Sequence, residues 1–83
     1  MKYKIYYEKI IGVFNELGIT IDPNPNKDIN LSEYIIDLEM LDRIINKLEE
    51  RFGMVFPDPF RRIETFYSLS NVAEIIHLSK YYV

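Results

Sequence analysis

A chain of 83 residues with 48% apolar and 14% aromatic side chains is expected to form a single domain over residues 1–83, and the absence of cysteine excludes a disulfide framework or a thiolate metal site. The formal net charge of −3, with its ten Lys and Arg spread along the chain, gives no basic footprint for a phosphate backbone, so nucleic acid is not the expected partner. No basic-then-apolar signal opens the sequence, and no apolar run approaches the roughly 18 residues a bilayer span needs, so the expectation is a soluble, cytoplasmic protein without a membrane partner.

In chain order, Tyr6, Ile10, Val13, Phe14 and Leu17 keep helical spacing with Glu8, Lys9 and Glu16 between them, which predicts a first helix over residues 3–17 that stops at Gly18. Tyr3, Ile5 and Tyr7 alternate like a strand, but the alternation ends at Tyr7 while the helical period continues for three turns. The string ITIDPNPNKDIN follows, and its prolines, asparagines and aspartates make a long loop. Ile19, Ile21, Ile29 and Leu31 punctuate that loop, so it is expected to lie across the helices and add to the core. Ser32 and Glu33 can nucleate an extra turn, or Ile35 and Ile36 can be extended and buried; the residues leave both open.

DLEMLDRIINKLEERFG, residues 37–53, carries the strongest pattern. Leu38, Leu41, Ile45, Leu48 and Phe52 recur at alternating steps of three and four, one apolar stripe on a helix. Asp37 suits the N-cap, and Gly53 stands where a left-handed residue closes a helix. Beyond it, Pro57 and Pro59 force a turn, and Asp58 with Pro59 can open a short helix through about Ile63. Ser68 caps a last helix, SLSNVAEIIHLS, with Leu69, Val72, Ala73 and Ile76 on one side, and Tyr81, Tyr82 and Val83 form an apolar strap. The expected fold is all-α: a small antiparallel four-helix bundle with a long loop after the first helix and a short third helix. Its core should include Phe14, Leu17, Leu41, Ile45, Leu48, Phe52 and Ile76.

Catalytic and metal chemistry find little support. His77 is a lone histidine near a helix end, where a surface or helix C-terminal role is the ordinary reading. Asp37, Glu39 and Asp42 could suggest a metal or acid-base cluster, but Asp37 and Glu39 are about 200° apart on a helix and acids are favoured at a helix N-terminus. Gly12, Gly18 and Gly53 are isolated and form no phosphate loop, and Arg61-Arg62 reads as a solvated loop edge. The chain is therefore expected not to be an enzyme, with no catalytic residue, metal ligand or cofactor.

Three strings, LGI at 17–19, LEERFGMVFPD at 48–58 and FYSLSNVAEII at 66–76, stand in an order and spacing that resemble the acyl carrier and peptidyl carrier proteins over roughly residues 6–77. The resemblance implies an acyl-carrier-protein-like bundle. In that family the second helix opens with Asp-Ser-Leu, and the serine carries 4′-phosphopantetheine. A gap-free register sets Asp37 on the aspartate, Leu38 on the serine and Glu39 on the leucine; with a one-residue deletion Leu38 becomes the leucine and the serine is missing. Neither register offers a hydroxyl, and Ser32, Ser68 and Ser70 lie elsewhere.

The family's second helix is typically acidic and docks on basic patches of its enzymes, whereas here Asp42, Glu49 and Glu50 are interrupted by Arg43, Lys47 and Arg51. Mixed charge weakens a long-range field and shifts partner choice. These charges can also be read as a merely solvated face, and Met40 as ordinary packing at the edge of the core. Two function classes follow. The first is a monomeric, non-carrying protein-protein interaction module whose partner surface is Leu38, Met40, Arg43 and Lys47, a biosynthetic enzyme being one partner the resemblance implies. The second is a working acyl or peptidyl carrier in a fatty acid, polyketide or nonribosomal peptide pathway, with 4′-phosphopantetheine on an unusual site.

Overall fold

Three α-helices, α1 (Lys4–Glu16), α2 (Leu38–Phe52) and α3 (Leu69–Tyr81), are joined by 3₁₀ turns at Leu31–Tyr34, Asp58–Phe60 and Ile63–Tyr67 in a computed structural model that describes residues 4–21 and 28–81. Tyr3, Tyr82 and Val83, and residues 22–27 of the long loop, lie outside the described residues, so the expected terminal strap is described only as far as the last helical residue, Tyr81.

The ends of α2 follow from the residues that stand there. Asp37 is extended (φ −158°, ψ 174°) and its Oδ1 accepts the Met40 N–H at 2.8 Å, satisfying one of the orphan donors of the first turn. Gly53 takes the left-handed conformation (φ 65°, ψ 43°), and the Met54 N–H returns to the Glu49 carbonyl at 3.1 Å, the closing bond of a Schellman motif. Between these caps Leu41, Ile44, Ile45, Leu48 and Phe52 are buried. Leu38 does not join them: it is 74% exposed, because it lies on the first turn and about 65° from the centre of the buried set. Ile44, absent from the three-four spacing read in the sequence, takes a fully buried place instead.

α1 stops one residue short of its expected end. The Leu17 and Gly18 N–H groups bond back to Phe14 and Asn15, and Gly18 turns the chain at φ 85°. Leu17 therefore sits in the turn, half-buried, and not in the sealed core that Ile10, Val13 and Phe14 enter. Tyr6, near the start of α1, meets Phe52 at the end of α2 edge-on, with ring centroids 5.6 Å apart at 84°. Leu17, past the end of α1, shares a cleft with Asp37 and Met40 at the start of α2, so the two helices run in opposite directions. Tyr6 and Tyr7, neighbours on α1, reach His77 (3.2 Å) and Ser70 (2.6 Å), which lie seven residues apart on α3, and so tie α1 to α3 at two points.

The loop before α2 contributes to the core as expected, with Ile21 and Leu31 buried and Ile19 and Ile29 packed against the cluster. Asn30 caps the turn at Leu31–Tyr34 by accepting the Ser32 N–H at 3.0 Å. Both readings of this stretch hold in part, since the extra turn forms and Ile35 is buried, while Ile36 is 79% exposed. The same loop holds the start of α3. The Ile29 carbonyl accepts the Leu69 N–H at 2.9 Å, and the Asp28 carboxylate accepts the Ser70 N–H at 3.1 Å and the Ser68 hydroxyl. Ser68 caps α3 as expected, its Oγ accepting the Asn71 N–H at 3.1 Å.

The expected short third helix is replaced by two separate 3₁₀ turns, so the described residues contain three α-helices and not four. Pro57 and Pro59 withhold two backbone donors, and the first turn closes when the Arg61 N–H bonds to Asp58 O at 3.1 Å. Arg62 is then extended (φ −140°, ψ 154°), which breaks any continuation. Glu49 fixes this path from α2: its Oε2 accepts the Phe56 N–H at 2.8 Å and the Arg61 guanidinium at 2.7 Å. Arg61 is thus a half-buried tie and only Arg62 is the exposed loop edge. Phe56, buried under this tie, stacks on Phe66 with centroids 6.2 Å apart.

Candidate interaction surface at the start of the second helix

The extended backbone at Asp37 separates two apolar side chains that ordinarily avoid water. Ile35 points inward, so the next residue, Ile36, points out, and Leu38 opens the helix on the exposed side; Ile36 and Leu38 are 79% and 74% exposed. Ile36 also lines an open cleft of about 240 Å³, together with Leu17, Asp37, Glu39, Met40 and Arg43. Met40 is half-buried at its inner side, packed against the core cluster.

The four residues read from the sequence as one partner surface divide here. Met40 and Arg43 line the cleft; Leu38 does not, and Lys47 lies one turn further along, half-buried. At about 100° per residue, Met40, Arg43 and Lys47 fall within roughly 60° of one another, while Leu38 is roughly 140–180° away. Ile36 and Leu17, which the sequence reading passed over as contact residues, complete the apolar lining. The signal for Ile36 was available: an N-cap must be extended, and extended backbone sends Ile35 and Ile36 to opposite sides.

Charge at the cleft is mixed. Arg43 and Glu39 pair at 3.4 Å with both side chains largely in water, an i,i+4 contact worth a few tenths of a kcal/mol. Asp42 and Glu50 are exposed, whereas Glu49 is turned to Phe56 and Arg61 and is not part of a solvated acidic face.

The first turn of α2 carries no hydroxyl or thiol. Leu38 carries only hydrocarbon, and the nearby carboxylate of Asp37 is committed to the cap. Three serine hydroxyls elsewhere are hydrogen-bonded: Ser32 Oγ donates to Asn30, Ser68 Oγ to Asp28, and Ser70 Oγ bonds with the Tyr7 hydroxyl at 2.6 Å. His77 holds the Tyr6 hydroxyl at 3.2 Å with its ring tilted against the tyrosine, which is the arrangement of a packing residue between α1 and α3. Among the described residues no group of three His, Cys, Asp or Glu could hold a metal ion, and no helix is long and apolar enough to cross a membrane.

The environment of Asp28 shifts its titration. Burial works to raise its pKa, but hydrogen bonds from the Ser68 hydroxyl, the Ser70 N–H and hydroxyl, and the Leu69 N–H outweigh that and hold the carboxyl below its ordinary 3.8. Its role is to cap α3 from the preceding loop.

Comparison with protein-family models, with curated proteins and with solved structures finds no match to this chain. The likeness to carrier proteins therefore rests on strings within the sequence.

Proposed function

We propose that this chain is an acyl-carrier-protein-like interaction module that carries no prosthetic group and acts by docking the start of α2 on another protein. The observation that carries the reading is the exposure of Ile36 and Leu38, 79% and 74%, on either side of the Asp37 cap, with Ile36 also lining the cleft that Leu17 and Met40 floor. Two large aliphatic side chains held in water at a well-capped helix start cost free energy that a partner would recover on binding. The helix itself is fixed by caps and core, so the patch is preorganised and little ordering entropy is lost on association. Arg43 and Lys47, on the side of Met40, would set encounter rate and partner choice more than affinity. A leucine at the carrier family's serine position supports the non-carrying half of the proposal, because transfer of phosphopantetheine needs an oxygen nucleophile.

The test is capture from the native cell with the wild-type chain, followed by kinetics with the captured protein. Leu38→Asp with Ile36→Asp should abolish retention, and Arg43→Glu with Lys47→Glu should slow association and alter its salt dependence while helix content is unchanged. A partner that binds both folded double variants like the wild type would move the interface off α2.

A further inference from the structure

We draw no further inference here: the strongest candidate, the exposed Ile36 and Leu38 patch with the neighbouring cleft at the start of α2, belongs to the site already described, and nothing in the structure shows which chemistry covers it.

Discussion

Leu48 and Asp28 mark the two kinds of residue on which this chain depends. Leu48 is fully buried in the middle of α2, and Leu48→Ala removes its transfer free energy and leaves a cavity, so a loss of about 2–5 kcal/mol is expected in denaturant unfolding. A loss below about half a kcal/mol would mean that α2 does not present this stripe to the core. Asp28 acts through charge. Its folded pKa lies below 3.8, so the unfolded chain binds the proton more tightly. The stability it contributes is complete above that value and is lost as pH falls through the lower folded pKa. Asp28→Asn should therefore be less stable than the wild type near neutral pH, by roughly 0.5–1 kcal/mol as for a weakened cap. The gap should close as the wild-type carboxyl is protonated below 3.8. Unfolding midpoints measured across that range check it; a gap that does not change with pH would show that the carboxylate charge is not what holds α3. Asp28 was not singled out in the sequence, because the serines it meets lie 40 and 42 positions away and local spacing carries no trace of such a pairing.

At the scale of elements, α2 was legible almost completely, since its caps and its period are local properties. Gly53 is the most specific of these. It holds φ 65° with nothing within 4 Å of where a Cβ would stand, so Gly53→Ala meets backbone strain alone and should cost about 1 kcal/mol. Thermal unfolding of that variant checks it, and an unchanged or raised midpoint would mean the left-handed closure is dispensable. What spacing could not decide was which residues at the ends of a stripe stay buried. Leu38 and Leu17 keep the period of their helices, yet Leu38 lies on an end turn and Leu17 just past the end of α1; one is exposed and the other half-buried. Those two departures leave apolar surface near the start of α2, Leu17 in the cleft and Leu38 outside it. The segment between α2 and α3 failed as a helix. Its prolines allowed a short helix in principle, but Arg62 is extended and ends the first turn, while Glu49 ties Phe56 and Arg61 to α2.

For the whole molecule, the all-helical class and the participation of the long loop in the core could be read from apolar periodicity and from the isoleucines that punctuate the loop. The tyrosines that bridge from α1 to Ser70 and His77 on α3 could not, because they join residues 63 and 71 positions apart. The central proposal concerns the second helix: in the gap-free register of the proposed carrier likeness, Leu38 stands where the modified serine of a carrier would be and offers no hydroxyl. The most direct measurement is intact mass before and after incubation with coenzyme A and a broad-specificity phosphopantetheinyl transferase, with Leu38→Ser treated in parallel. The wild-type mass should not change, and modification confined to Leu38→Ser would support the gap-free register. A phosphopantetheine adduct on the wild-type chain, mapped to Ser32 or to any other residue, would contradict the account.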